Sequence, residues 1–361
     1  MLTMNGCRTR RQRLLEHLRP EGPLLLGDPL NLRYFANFYV DPFSLGADFG
    51  GLLLLRPDGH ATVFHDHRVP KSVDASHADE RIPIKWYDGK SAALRARRMI
   101  LHDVVSHAGT EGRIHDSLTD SLAPDLWRTI TALRRAKDPD EVERLRACMR
   151  ATEVGHAWAR ENIRPGMTEL DVYNGVFTAC SRAAGQPVIV YGDFAVSPGS
   201  KRRGGPPTDQ VLESGNTFIL DYSVVIQGYR SDFTNTYVVD AEPTAEQRRL
   251  FDLCVTAMSE AEKLLRAGVA CYDVYQALRG VFEAAGMANH FPHHGGHGLG
   301  LSHPESPFIV EGATEALGAG DVVTLEPGLY VDDVGGVRIE HNYLITETGY
   351  ERLSNHTISL K

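Results

Sequence analysis

Little in this sequence would take it into a membrane or a disulfide framework. No apolar run approaches the roughly 20 residues of a membrane span. The leucine-rich stretch Gly51–Leu55 has only the length of a buried strand. The opening residues, MLTMNGCRTRRQRLLEHLR, are basic but contain no apolar core and no cleavage site, so no secretory signal is read there. Five cysteines (Cys7, Cys148, Cys180, Cys254 and Cys271) are an odd number, widely spread and without a C-x-x-C pair. That usage predicts reduced thiols and a cytoplasmic protein. Positive charge is in deficit, 38 Lys and Arg against 47 Asp and Glu, for a net charge of −9. This excludes a general attraction to nucleic acid or to an anionic membrane. With 42% hydrophobic and 24% charged residues, the 361-residue chain suits two ordinary globular domains.

Residues 1–135 read as a small α/β domain. Helices are predicted over Arg8–Leu18, Ser91–Val105 and Pro124–Leu133, and strands over Pro23–Leu26, Gly51–Leu55 and Ala61–Phe64. Arg56-Pro57-Asp58-Gly59 is a strong turn between the last two strands. No catalytic constellation is visible in this part. The boundary falls at Lys137-Asp138-Pro139-Asp140-Glu141, where Asp138 suits an N-cap, Pro139 the first helical position and Glu141 the third. Residues 136–361 then form the second domain.

That second domain carries an internal repeat. Arg164-Pro-Gly-Met-Thr-Glu-Leu-Asp-Val-Tyr173 matches Arg266-Ala-Gly-Val-Ala-Cys-Tyr-Asp-Val-Tyr275 at Arg, Gly, Asp, Val and Tyr, at one offset of 102 residues. Each copy follows a long helix and opens a second one; the later long helix starts at Thr244, with Gln247 completing a capping box. Beyond each helix pair lies a strand pair bearing carboxylates, Asp221 with Asp232 and Glu326 with Glu340, offset by 105 and 108 residues. A duplicated α-α-β-β half folded about a pseudo-two-fold would bring all four to one central sheet.

Around the Gln227-Gly228 turn, a two-residue hairpin places Ile226 opposite Tyr229 and Ser223 opposite Asp232. Asp221 is then diagonal to Asp232 on the same face. Glu326 and Glu340 each interrupt otherwise apolar strand sequence, and a buried carboxylate without a partner is costly. Between the halves, His290, His293, His294, His297 and His303 fall within fourteen residues, interspersed with glycine. Four carboxylates and an imidazole suit two divalent metal ions. The oxygen-rich set favours Mn²⁺, with Co²⁺, Fe²⁺ or Zn²⁺ admissible through the imidazole.

Asp221-x10-Asp232, His297-Gly-Leu-Gly, Leu325-Glu326-Pro-Gly and Arg338-Ile-Glu340 together resemble the pita-bread metallopeptidases: methionine aminopeptidase, prolidase and aminopeptidase P. The N-terminal part resembles the creatinase-type domain of prolidases, and Lys137-Asp-Pro-Asp-Glu-Val resembles their interdomain signature. The resemblance implies an α+β, two-domain chain: a small α/β creatinase-like domain, then a duplicated pita-bread catalytic domain. It implies that Asp221 chelates one metal and that His297 and Glu326 chelate the other, with Asp232 and Glu340 bridging. Glu326 would also manage the proton of the attacking hydroxide. His293 and His303 would contact substrate, and Arg338 would offset the acidic cluster. A homodimer is implied as well. The reaction expected is hydrolysis of Xaa-Pro bonds in dipeptides or at the start of short peptides. Two departures stand out. His303 follows His297 by six residues where the family spacing is seven, and no histidine precedes Gly205-Pro206-Pro207-Thr208. The second departure keeps a small non-peptide amide, as in creatinase, open as substrate. A non-catalytic peptide-binding module on the same fold is the remaining alternative, and it would not need five ligands.

Overall fold

The computed structural model describes residues 1–40, 50–85, 89–90, 97–109, 113–197 and 204–361. The chain divides into two compact units, Met1–Arg134 and Arg135–Lys361.

The first unit runs α1 (Met4–Leu18), β1 (Leu24–Leu26), α2 (Pro29–Ala36), β2 (Gly51–Leu55), β3 (Ala61–Asp66), α3 (Pro70–Asp74), β4 (Glu80–Ile84), α4 (Arg97–Ala108), β5 (His115–Asp116) and α5 (Ala123–Arg135). Its sheet has the order β4-β3-β2-β1-β5. The Arg56–Gly59 turn closes the β2–β3 hairpin, with Gly59 at φ +90° and its N–H on the Arg56 carbonyl. One sheet face buries Leu25, Leu52, Leu54, Phe64 and Ile84 against Ile100 and Val104 of α4. The helix expected over Ser91–Val105 is seen from Arg97 to Ala108, and residues 91–96 lie outside the described ones.

The second unit contains the duplication. Its first half is α6 (Pro139–Asn162), α7 (Glu169–Ala184), β6 (Ile189–Ser197), β7 (Thr217–Ile226), β8 (Tyr229–Arg230) and β9 (Phe233–Val238). The second half is α8 (Ala245–Glu262), α9 (Cys271–Ala284), β10 (Gly296–Gly298), β11 (Glu305–Ile309), β12 (Val322–Leu325), β13 (Gly328–Val331), β14 (Gly335–Arg338), β15 (His341–Ile345) and β16 (Tyr350–Arg352). The helix starts follow the local chemistry: capping boxes form at Asp138/Glu141 and Thr244/Gln247, and a third at Thr168/Asp171. Ala270, the counterpart of Thr168, makes no such cap.

Strand β7 is the spine of the first half. It pairs β6 along its length, and it pairs β8 and β9 in the expected register, Ile226 opposite Tyr229 and Tyr222 opposite Phe233. Gln227 and Gly228 both have positive φ (51° and 91°), the requirement of a tight hairpin turn matched to strand twist. Helix α6 crosses β7 very closely. A Cβ on Gly155 would stand 2.2 Å from Tyr222 Oη, and that hydroxyl donates to the Thr152 carbonyl at 2.6 Å.

The second half departs from two simple strands. Each breaks at its glutamate: β12 ends before Glu326-Pro327, and β14 ends before Ile339-Glu340. The pieces therefore belong to a two-stranded β13–β14 ribbon and to a five-stranded sheet of order β11-β10-β12-β15-β16. Pro327 has no N–H to continue a ladder. The halves are joined along β9, where Glu340 N–H donates to the Thr234 carbonyl at 3.1 Å. The Thr236 hydroxyl accepts from Arg338 N–H at 2.9 Å and donates to the Arg338 carbonyl at 2.8 Å. The four carboxylates thus meet at a seam between sheets rather than on one continuous sheet.

Candidate metal centre

Breaking the strands turns four carboxylates from two halves toward one another. Asp221 projects from mid-β7, Asp232 from the step between β8 and β9, Glu326 from the end of β12, and Glu340 from the step between β14 and β15. Asp232, Glu326 and Glu340 are buried, at 5%, 7% and 1% exposure. Asn342 of β15 clamps Asp232 from across the seam, accepting its N–H and donating to its carbonyl. The Asp232 and Glu340 carboxylates also accept hydroxyls: Ser223 Oγ donates to Asp232 Oδ1 at 3.3 Å, and Thr234 Oγ1 to Glu340 Oε2 at 2.7 Å.

His297, on β10, stands between the halves with Nε2 3.5 Å from both Asp232 Oδ2 and Glu326 Oε1. Its Nδ1 is 2.9 Å from the Gly298 carbonyl, an arrangement that places the proton on Nδ1 and leaves the Nε2 lone pair facing the carboxylates. His303 Nε2 lies 2.6 Å from Asp232 Oδ2, and His294 Nε2 3.0 Å from Glu326 Oε1. Arg338 Nη2 bonds Asp221 Oδ2 at 2.6 Å, while Nη1 donates to Tyr330 Oη at 3.0 Å. Tyr330 Oη is also 3.0 Å from His293 Nε2. All eight residues singled out in the sequence therefore fall in one connected cluster.

The electrostatics follow from burial and from the crowding of carboxylates. Burial pushes the Asp221 carboxyl up to about 7 against the pull of Arg338, and Asp232 adds to the rise. Burial also drives Glu340 well above the usual carboxylate range, followed by the charges of Asp232 and Asp221. Glu326 goes the other way: burial opposes its ionisation, but the His294 hydrogen bond and nearby imidazoles outweigh it and hold the carboxyl low. Burial lowers His293 to about 4, so this ring is neutral near pH 7.

Three sets of ligand atoms lie within 4.8 Å of one another: Asp221/Asp232/Glu340, Asp232/His297/His303 and His294/His297/Glu326. Asp232 and His297 belong to two sets each, so the three form one continuous group. Glu340 Oε1 is buried with no hydrogen-bond partner among the described residues. A carboxylate oxygen so placed, beside other carboxylates, calls for a shared proton or a divalent cation, and the adjoining imidazole and carboxylate ligand atoms suit the cation.

Five contributors were not singled out from the sequence. His294 sits in the histidine run, and its Nε2 reaches Glu326 Oε1. Tyr330 follows Glu326 by four residues, and nothing in its sequence context marks it. Arg230 Nη1 donates to Tyr191 Oη at 2.9 Å, and the Tyr191 ring packs 5.9 Å from that of His303. Asp193 carried a readable signal, an acidic residue interrupting the apolar strand Ile189–Ser197, the same signal that marked the two glutamates.

Comparison with known proteins agrees with this geometry. Residues 143–347 match metallopeptidase family M24. An uncharacterized peptidase of Staphylococcus haemolyticus is 32% identical over 338 residues, covering 91% of this chain and 93% of its own. Another, from Staphylococcus saprophyticus, is 29% identical over 341 residues with the same coverage. Among solved structures, an Xaa-Pro dipeptidase from Bacillus anthracis superposes with a TM-score of 0.80 at 21% identity, covering 99% of both chains. A prolidase from Pyrococcus horikoshii OT3 gives 0.75 at 21% identity, over 98% of this chain and 100% of that one. Dipeptidase PepE from Mycobacterium ulcerans gives 0.74 at 24%, over 99% and 98%. The duplicated half is thus the pita-bread fold.

Proposed function

Because the chain belongs to metallopeptidase family M24, we propose that it hydrolyses Xaa-Pro bonds in dipeptides or at the N-terminus of short peptides, using two divalent cations. The observation that carries this is the meeting of four carboxylates from both halves around His297, with Glu340 Oε1 buried and unpartnered among the described residues. Asp221, Asp232, His297, Glu326 and Glu340 would hold the cations, with Asp232 and Glu340 as the ligands the two would share. When bound, such cations polarise the scissile carbonyl and lower the pKa of a water into the neutral range. Glu326, which the His294 hydrogen bond favours in its ionised form, would take that water's proton. His293 is neutral, with Nδ1 on the His294 carbonyl at 2.8 Å and Nε2 on Tyr330 Oη at 3.0 Å, so it would meet the peptide by exchanging the Tyr330 contact. Arg338 compensates Asp221 and fixes Tyr330.

The reading extends to Mn²⁺ as the working metal, a homodimer, a cytoplasmic location and residues 1–135 as a creatinase-type domain. The oxygen-rich donor set supports Mn²⁺, and five free, buried cysteines are in keeping with a reducing compartment. Proline specificity is supported by the solved structures of this fold named as an Xaa-Pro dipeptidase and a prolidase. A small non-peptide amide is the second reading. It is favoured by Gly204, which stands just before Gly205-Pro206-Pro207-Thr208 and offers no side chain there.

The test is hydrolysis by protein stripped of metal and reloaded with Mn²⁺, using an Xaa-Pro dipeptide, an Xaa-Pro tripeptide and matched alanine peptides. Metal-dependent cleavage confined to proline peptides is expected. Two bound Mn²⁺ ions without cleavage of any peptide would move the assignment to the amide.

A further inference from the structure

Asp193 stands directly opposite Asp221 in the β6–β7 ladder. Like charges directly opposed on neighbouring strands are unfavourable unless something lies between them. Here it is Arg338, whose single Nη2 is shared, 2.5 Å from Asp193 Oδ2 and 2.6 Å from Asp221 Oδ2. The other Asp193 oxygen, Oδ1, accepts the Gly205 N–H at 2.6 Å, and the Gly205 carbonyl accepts the Phe194 N–H at 3.0 Å. The carboxylate is therefore held from both sides. It also fills the space over position 204, where a Cβ would come within 2.2 Å of Asp193 Oδ2 and 2.8 Å of Oδ1. Glycine at 204 and aspartate at 193 are one fitted pair.

We propose that Asp193 is a positioning residue for the metal that Asp221 would hold, an inference that rests on the two-cation reading above. Two carboxylates on one guanidinium leave this corner with a net negative charge, whereas Asp221 alone would be neutralised by Arg338. Asp193 takes half of the guanidinium's hydrogen bonding at Nη2, so Asp221 keeps an oxygen to offer a cation without displacing Arg338. With Asp193 gone, Arg338 closes on Asp221, and a cation must compete with it. Charge and geometry point the same way. Partners of this kind, one step removed from the metal, are worth about 10- to 100-fold in metal affinity.

The test is calorimetric titration of Mn²⁺ into the metal-free protein, with Asp193→Asn and Gly204→Ala beside the wild type. Asp193→Asn removes the charge. Gly204→Ala keeps it but pushes the carboxylate off Arg338, so it remains informative if the first variant folds poorly. In both, one of two Mn²⁺ ions is expected to bind about 10- to 100-fold more weakly while the other is unchanged. Wild-type affinities for both ions in both variants would overturn the role of Asp193 and leave the two-cation reading standing. Equal weakening of both ions alongside a general loss of thermal stability would overturn it too, as a merely structural role. A wild type that binds fewer than two ions would overturn the two-cation reading itself, and this inference with it.

Discussion

Replacing Glu340 by glutamine should stabilise the metal-free protein and, in the same molecule, remove its stabilisation by Mn²⁺. Glu340 is 1% exposed, and its Oε1 has no partner among the described residues. A ligand oxygen of each of Asp221, Asp232 and Glu340 lies within 4.8 Å of the others. At that separation two ionised carboxylates repel by about 3.5 kcal/mol for an effective dielectric of about 20. Without metal the fold relieves part of this by holding a proton, so the gain from glutamine is smaller, about 1–3 kcal/mol. The shape and the Thr234 hydrogen bond are retained. For a domain of this size each kcal/mol moves Tm by about 2–4 °C, so a rise of several degrees is expected in chelator. Mn²⁺ at a hundred times its Kd should raise wild-type stability by about 2.7 kcal/mol, and the variant should lose most of that rise. Scanning calorimetry with and without Mn²⁺ reads both effects. A variant less stable than wild type in chelator, or one with the full Mn²⁺ shift, refutes the reasoning.

Alanine usually replaces a helical glycine at a gain of roughly 0.5–1 kcal/mol. At Gly155 the sign should reverse, because the new Cβ meets Tyr222 Oη at 2.2 Å and Cys180 Sγ at 2.7 Å. A loss of about 1–3 kcal/mol is expected in urea unfolding, with the further change Tyr222→Phe recovering part of it. Acid should destabilise the metal-free protein through two buried histidines. Burial holds His156 well below 6.5, with the neighbouring His356 and Arg160 adding to the effect, and it lowers His356 to about 4. These rings stay neutral in the fold while the unfolded chain takes up protons, so their stabilisation is complete above about pH 6.5 and lost as pH falls below it. Each contributes about 1.4 kcal/mol per pH unit in that window. His156→Phe should flatten the variant's stability–pH slope by one such increment relative to wild type; an unchanged slope counts against the assignment.

Much of this protein is set locally in its sequence. Asp138 with Glu141 and Thr244 with Gln247 cap helices because a cap needs only four consecutive residues. The Gln227-Gly228 turn fixes the register of β7 against β8 and β9, and that register alone puts Ser223 opposite Asp232. The repeat with its acidic strand pairs announces that the carboxylates will converge, since each interrupts a strand too apolar to be exposed. Tertiary structure decided where the strands break. At Glu326-Pro327 the ladder lacks an N–H, and at Glu340 the backbone turns to the Thr234 carbonyl of the other half. It also decided which side chains share a charge. Asp193 and Asp221 are 28 positions apart and Arg338 lies 117 beyond Asp221, so no local pattern joins them. Their meeting depends on the β6–β7 register and on how closely β14 lies against β9. Hydrogen bonding within a strand pair is local information, but the neutralisation of buried charge is settled only by whatever the fold brings within about 3 Å.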